Sequence, residues 1–209
     1  MHARLIVAAV LSGIGLLTGC GPVDGSSAAA PPHGKSVALR QLDALRVAKW
    51  ASMAGYSRER FPHWSAQGDG CDTRDVVLRR SGEAVLTTAE CRITQGSWLS
   101  PYDGRATSDP QDLDIDHMVP LANAWRTGAA KWTDAAREDF ANDLVRPELI
   151  AVTSSTNRSK GDQDPSQWRP PKLSYWCEYA QQWVAVKTYW KLSVTALEKA
   201  ALKDMLGTC

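Results

Sequence analysis

Four cysteines limit the folds open to this 209-residue chain more than any other feature. Apart from Cys20 near the N-terminus, the cysteines are Cys71, Cys91, Cys177 and Cys209, an even number, which in an oxidising compartment favours two disulfides. Three pairings are possible, and we favour Cys71–Cys91 with Cys177–Cys209 because each joins segments that are local in the sequence. A zinc site is the rival use of these thiols. It is not expected, because the sequence has no Cys-x-x-Cys or His-Cys cluster.

The N-terminus has the pattern of an export signal. Arg4 precedes an apolar run over Leu5–Leu17, and Gly19 and Cys20 supply small residues for cleavage. The run is shorter than the ~20 residues that a membrane-spanning helix needs. Its end resembles the lipobox of bacterial lipoproteins, in which the cysteine is lipidated and becomes the new N-terminus. The alternative is an ordinary secretory signal in which Cys20 is incidental, and either signal takes the protein out of the cytoplasm.

These features predict a lipoprotein-type signal peptide over residues 1–19 and a flexible tether over residues 20–36, which are small, Pro-containing and without large apolar side chains. Residues 37–209 then form one domain. The net charge of the chain is +1, and removal of residues 1–19 takes away Arg4 and no acid, which leaves a neutral protein. Total charge therefore does not indicate a nucleic-acid partner, and attraction to phosphate has to come from a local patch.

The spacing of apolar residues predicts an α+β domain in which helices dominate. The expected helices cover residues 37–50, 75–80, 121–132, 133–142 and 174–190, with a last helix that a capping box at Thr195 and Glu198 opens and that reaches Leu206. The expected strands cover residues 89–94, 98–99, 112–116 and 149–152, with a turn at residues 101–104.

The strand expected at residues 112–116 delivers an acid and an imidazole consecutively, Asp116 and His117. Side chains alternate along a strand, so Asp114 and Asp116 are expected on one face and His117 on the other. A carboxylate suits a hard cation such as Mg²⁺. A neutral imidazole beside it is able to take a proton from water near neutral pH.

A second polar segment follows the strand expected at residues 149–152. Ser154 is expected to cap a short helix that ends at Gly161, and the spacing of Asn157 and Lys160 puts them on one face of it. An amide oxygen is a neutral ligand for a hard cation, and a lysine ammonium is a point charge for phosphate.

Together the two segments resemble the ββα-metal motif of HNH endonucleases, also called His-Me finger enzymes. The resemblance is closest to the C-terminal nuclease domain of modification-dependent restriction enzymes and its stand-alone secreted bacterial relatives. It covers most of residues 37–209. The motifs that carry it are Cys71–Arg74, Pro101–Gly104, Asp114–Pro120, Ala124–Ala129 and Asn157–Asp162 with its continuation to Trp168.

The resemblance implies a role for each site residue. His117 would be the general base, and Asp116 and Asn157 would hold one divalent cation, Mg²⁺ or Mn²⁺. Lys160 would contact phosphate. Glu148 stands where the family usually has an asparagine that braces the base-bearing loop, and an ionised Glu has no proton to donate there.

Outside these segments, Arg74 is as suited to binding phosphate as to an ion pair with Asp72 or Asp75. His63, beside Phe61, Pro62 and Trp64, is interpreted as a packed or turn histidine.

The leading hypothesis is therefore an exported, metal-dependent HNH endonuclease that hydrolyses phosphodiester bonds of DNA, with RNA as a second substrate, and has little sequence preference. We expect a monomer that meets the membrane only through its lipid anchor. The departure at Glu148 motivates one alternative, a catalytically inactive HNH-fold surface lipoprotein that binds nucleic acid or a protein partner. A further alternative is a hydrolase of another phosphodiester or of the cell envelope.

Overall fold

The computed structural model describes residues 34–209, so the predicted signal peptide, Cys20 and most of the predicted tether lie outside the described residues. Within this range the chain forms seven α-helices and seven short strands. The helices are α1 (Lys35–Ala44), α2 (Thr73–Ser81), α3 (Leu121–Thr127), α4 (Asp134–Ala141), α5 (Ser154–Lys160), α6 (Trp176–Tyr189) and α7 (Ala196–Gly207). The strands are β1 (Ala66–Gly68), β2 (Cys71–Asp72), β3 (Glu83–Thr87), β4 (Ile93–Leu99), β5 (Ala106–Thr107), β6 (Leu113–His117) and β7 (Leu149–Thr153).

The strands form three small antiparallel sheets, β1–β2, β3–β4–β5 and β6–β7. Mixed helices and small sheets confirm the predicted α+β class. The larger hydrophobic core lies among the helices, where α6 supplies the fully buried Tyr179 and Trp183 and packs against α1 and α7. A smaller core lies between α2 and the β6–β7 sheet and includes Val77 and Ile115.

Local sequence signals account for several helix boundaries. Asp72 caps α2 through a capping box with Asp75, and Thr195 caps α7 through the predicted box with Glu198. Helix α5 ends where Gly161 adopts a positive φ of 52°, a conformation that glycine tolerates without strain. The expectation that Ser154 caps this helix was wrong, because Thr153 occupies the cap position and Ser154 is already helical.

Other predicted elements differ from those observed. The first helix ends at Ala44 rather than at residue 50, because the chain turns extended at Leu45 and the amide of Ala48 donates to Val194 O. The helix predicted over residues 121–132 stops at Thr127, where Gly128 has a φ of 157°.

The strands predicted at residues 89–94 and 98–99 are one strand, β4, and the prediction missed its partner β3. Position 96, inside β4, requires a glycine, because a Cβ there would stand 2.4 Å from the buried ring of Trp98.

The two disulfides are those predicted. Cys71–Cys91 joins β2 to the loop before β4, and Cys177–Cys209 joins the first turn of α6 to the C-terminal residue. Both bonds close short loops, with sequence separations of 20 and 32 residues.

Candidate active site

The β6–β7 sheet and α5 bring the two polar segments together. Strands β6 and β7 pair in register, with Asp116 opposite Ile150 and His117 opposite Leu149. Helix α5 begins at the residue after β7 and packs against both strands. The end of β6 therefore lies beside Asn157 and Lys160, although these residues are 40 or more positions away in the sequence.

Asp116, His117 and Asn157 line one cavity of about 210 Å³. Its other charged lining residues are Arg58, Arg158 and Asp162. Asp116 and His117 thus both contribute to one cavity wall, although neighbouring residues on a strand face opposite sides of the sheet. They occupy the last two positions of β6, and Ile115, the residue before them, lines the same cavity.

Asp116 is buried, and the two hydrogen bonds that its carboxylate accepts from the protein both go to the same oxygen. Oδ2 accepts a hydrogen bond from Lys160 Nζ at 2.6 Å and from the Tyr102 hydroxyl at 2.5 Å. Burial raises the pKa of the Asp116 carboxyl, and the Lys160 ammonium opposes that rise. Oδ1 makes no hydrogen bond to the part of the chain that the structure describes, so it is the oxygen left for a ligand in the cavity.

His117 is held in one orientation from two sides. Its Nε2 lies 3.0 Å from Ala141 O, and its ring stacks on Trp64 with centroids 5.8 Å apart. A carbonyl only accepts, so Nε2 carries the proton and Nδ1 has the free lone pair. Burial lowers the pKa of His117 to about 3, so the ring is neutral at neutral pH. A neutral imidazole with an unoccupied Nδ1 has the form that a general base requires.

Asn157 is oriented by Asp114. Its amide nitrogen donates to Asp114 Oδ2 at 3.0 Å, and Ser154 Oγ donates to the other oxygen of the same carboxylate at 3.0 Å. Because the acceptor is a carboxylate, the amide NH₂ must face Asp114. The Asn157 carbonyl oxygen is left without a partner among residues 34–209.

The unengaged oxygens of Asp116 and Asn157 are chemically suited to a hard divalent cation. One carboxylate and one amide oxygen on the same cavity make a small oxygen donor set, and Mg²⁺ usually takes one or two protein ligands and completes its shell with water and phosphate. No group of three or more His, Cys, Asp or Glu side chains positioned for a metal occurs within residues 34–209.

Lys160 lies in a different setting from the one its predicted role requires. The side chain is completely buried, and Nζ donates to Asp116 Oδ2 and to His117 O at 2.6 and 2.7 Å. A direct contact with phosphate would require the ammonium to leave both partners. In the structure Lys160 instead ties α5 to the end of β6.

Arg74 also has interior partners. Its guanidinium donates to Pro110 O at 3.0 Å and to Leu113 O at 2.9 Å, so it fastens α2 to the start of β6. Neither the predicted ion pair with Asp72 or Asp75 nor a place in the cavity of Asp116 is found for Arg74 among the described residues.

Glu148 braces the segment that follows His117. Its Oε2 accepts from the amide of Val119 at 3.1 Å, and its backbone oxygen accepts from the amide of Met118 at 2.6 Å. Complete burial raises the pKa of the Glu148 carboxyl well above its usual range and so favours its protonated form. Its other oxygen, Oε1, is buried and has no hydrogen-bond partner within residues 34–209, so Glu148 serves this position as an acceptor only.

Three residues at the site were missed by the reasoning from sequence. Tyr102 belongs to a segment that was interpreted as a turn and as part of the resemblance, with no role given to its side chain, yet its hydroxyl reaches Asp116. Arg58 and Arg158 line the cavity, and no motif marked Arg58. Arg158 lies within the motif Asn157–Asp162, which could have pointed to it, whereas only its charge distinguished Arg58, and charge alone does not say which arginines lie near one cavity.

Residues 74–205 match the family described as GmrSD restriction endonucleases, C-terminal domain. The chain belongs to this family. It is also 48% identical over 203 residues to an "Uncharacterized secreted protein" of Arthroderma benhamiae, with 96% of this chain and 97% of that protein covered. No solved structure matches the chain.

The GmrSD C-terminal family is a family of nuclease domains, which supports nuclease activity and a nucleic-acid substrate for this chain. The sequence predicted a resemblance to secreted bacterial relatives, whereas this relative comes from a fungus, Arthroderma benhamiae. Two disulfides are typical of proteins outside the cytoplasm, in agreement with a relative that is described as secreted. Over residues 34–209, no helix has the length and apolar character needed to cross a bilayer.

Proposed function

We propose that the protein is an exported endonuclease of the HNH type, in which β6, β7 and α5 form the ββα-metal unit and the substrate is DNA. The observation that carries the proposal is the shared cavity. It holds a neutral imidazole with a free Nδ1 next to two unengaged oxygens, those of Asp116 and Asn157.

In this mechanism His117 Nδ1 takes the proton of the attacking water, while the hydrogen bond from Nε2 to Ala141 O keeps Nδ1 directed away from the backbone. Asp116 and Asn157 hold a divalent cation, Mg²⁺ or Mn²⁺. When bound, this cation supplies positive charge that stabilises the phosphate as it gains charge and the leaving 3′ oxygen.

Three further residues position these groups. Lys160 and Tyr102 fix Asp116 through Oδ2 so that Oδ1 faces the cavity, and Glu148 holds the chain just after His117. Rigid support of this kind matters because catalysis falls steeply when reacting groups are misplaced by about 1 Å.

Plasmid cleavage tests the proposal. The purified chain, with its disulfides formed, should cut DNA in Mg²⁺ or Mn²⁺ and stop when EDTA is added. His117→Ala should lower the rate by roughly 10²–10⁴-fold, the usual contribution of a general base. His63→Ala is the matched control, because this second imidazole lies 6.1 Å from His117 and its Nδ1 is bonded to Phe61 O. If His117→Ala cuts as fast as the unmodified chain, His117 is not the base.

The same assay separates the alternatives. A folded chain that binds DNA but cuts nothing with any divalent cation would be an inactive binding protein. Faster hydrolysis of RNA or of a small diester than of DNA would identify another phosphodiester as the substrate.

We also propose that residues 1–19 direct export and that lipidation of Cys20, at the start of the tether, anchors the protein. Comparison of membrane and medium fractions for the unmodified chain and Cys20→Ser tests the anchor. Release of the variant supports lipidation, and equal release of both proteins indicates an ordinary secretory signal.

A further inference from the structure

Three arginines near the candidate active site have no partner within residues 34–209. The guanidinium groups of Arg58, Arg105 and Arg158 form neither an ion pair nor a hydrogen bond there, and all three side chains are exposed. By contrast, Lys160 and Arg74, the two cations that the sequence assigned to phosphate, are both engaged in the interior. The cations available to a substrate are therefore different from those predicted.

These arginines are distributed over two neighbouring cavities. Arg58 and Arg158 line the cavity of Asp116 and His117. Arg158 and Arg105 line a second, polar cavity of about 360 Å³. Arg158 is common to both linings, so the two cavities adjoin at this side chain.

Helix α5 forms the wall between the two cavities. Ser154 and Ser155 line the second cavity, and Asn157 lines the first. Residues two apart on a helix point to different sides of it, so the two cavities lie on different sides of α5. Arg158 lines both cavities, so a strand that passes from one to the other passes this side chain.

We propose that one DNA strand runs from the catalytic cavity into the second cavity, with its phosphates contacted by Arg58, Arg158 and Arg105 in that order. Arg58 contacts the phosphate that is cleaved, Arg158 lies between the cavities, and Arg105 holds a flanking phosphate. The proposal rests on the proposed function, because it takes the cavity of His117 as the place of cleavage.

Local charge makes this strand path dependent on the arginines. Asp162 lines the first cavity and Asp112 the second, while the charge of Asp116 is balanced by Lys160. Loss of the arginines would leave these cavities negatively charged and repulsive to DNA. The domain as a whole is close to neutral, so no general positive field would compensate.

Binding measurements in a non-cleaving background test the path. In His117→Ala protein, the dissociation constant of a labelled 20-base-pair duplex is measured between 50 and 200 mM salt in Mg²⁺. Each of Arg58→Gln, Arg158→Gln and Arg105→Gln should reduce the slope of log K against log salt by about 0.9 and weaken binding roughly 5–10-fold at 0.1 M salt. Arg40→Gln is the control, because Arg40 is exposed on α1 and lies in neither cavity lining.

Cleavage rates measured in protein that retains His117 distinguish the role of Arg105 from that of Arg58. Arg105→Gln should raise KM on duplex DNA with kcat nearly unchanged, and should leave hydrolysis of bis(p-nitrophenyl) phosphate unaltered, since this small diester fills only the first cavity. Arg58→Gln should slow both substrates.

Unchanged salt slopes for the three variants would overturn the path, and so would equal losses on both substrates for Arg105→Gln. If the unmodified chain cleaves neither substrate, the proposed function fails, and the salt slopes still decide whether DNA follows these arginines.

Discussion

Replacement of Lys160 by methionine tests whether this residue supports the site from within or contacts the substrate. Methionine keeps most of the length of the side chain and removes the ammonium. Asp116 Oδ2 then loses its donor at 2.6 Å, and His117 O loses its donor at 2.7 Å. Both lie in a buried region, where removal of one member of an ion pair costs about 3–5 kcal/mol. We expect Lys160→Met to lower the free energy of unfolding by roughly 3–4 kcal/mol at pH 7.

The loss should depend on pH. Without the ammonium, burial favours the protonated form of Asp116, so the folded state retains a proton that the unfolded state has released. Stability of the variant therefore falls as pH rises above the unfolded pKa of Asp, by up to about 1.4 kcal/mol per pH unit. Lys160→Met with Asp116→Leu, which removes the stranded carboxyl, should recover part of the loss.

Urea unfolding followed by tryptophan fluorescence, with the disulfides intact, measures both effects. Lys199→Met is the control, because Lys199 pairs with the exposed Asp43 at 3.9 Å and should cost less than about 1 kcal/mol. If Lys160 were exposed and free to bind phosphate, its replacement would change the free energy of unfolding as little as Lys199→Met does. A loss below about 1 kcal/mol for Lys160→Met, with weaker and less salt-dependent DNA binding, would show that the buried ion pair is not its role.

Three other substitutions test further parts of the structure. Glu148→Gln keeps the acceptor for the Val119 amide and removes a carboxyl whose pKa is raised by burial. The variant's gain in free energy of unfolding, measured in urea, should grow as pH rises above the unfolded pKa of Glu. A stability difference that does not change with pH would mean that burial leaves this pKa unshifted. The double variant Cys177→Ser with Cys209→Ser should lower stability by about 2–5 kcal/mol in the same assay, and reductant, which opens both disulfides, should destabilise it less than it destabilises the unmodified chain; an equal effect of reductant on both proteins would contradict a contribution from this bond. Gly96→Ala should cost about 1–3 kcal/mol in thermal or urea unfolding, because its Cβ meets a buried tryptophan ring; a neutral result would mean that this ring shifts freely.

Boundaries with a local chemical cause could be predicted from sequence. The boxes at Asp72–Asp75 and Thr195–Glu198 bond only within one helical turn, and the sequence shows both partners at the required spacing. The end of α5 at Gly161 depends likewise on one residue that tolerates a positive φ. Strand β3 was missed because four of its five residues are exposed and the fifth is half-buried, so it has no alternation of apolar and polar residues to mark it.

At the candidate site the sequence by itself predicted that the residues of the two polar segments come together. Asp116 and His117 end one strand, Asn157 and Lys160 follow the next strand, and antiparallel pairing of these strands leaves little freedom in their placement. The motifs also place the chain in a family of nuclease domains, as the match over residues 74–205 shows.

Tertiary structure alone decided what each side chain does there. Whether a lysine faces solvent or a carboxylate depends on the elements that cover it. Lys160 is completely buried and bonds to Asp116 from the protein interior, so it does not face the cavity. The raised pKa of Glu148 follows from complete burial, which no neighbouring residue in the sequence indicates. Arg58 comes from a segment about sixty residues before His117 and reaches the cavity only through folding. Local pattern determines backbone and spacing, whereas charge state and exposure arise from atoms that are distant in the chain.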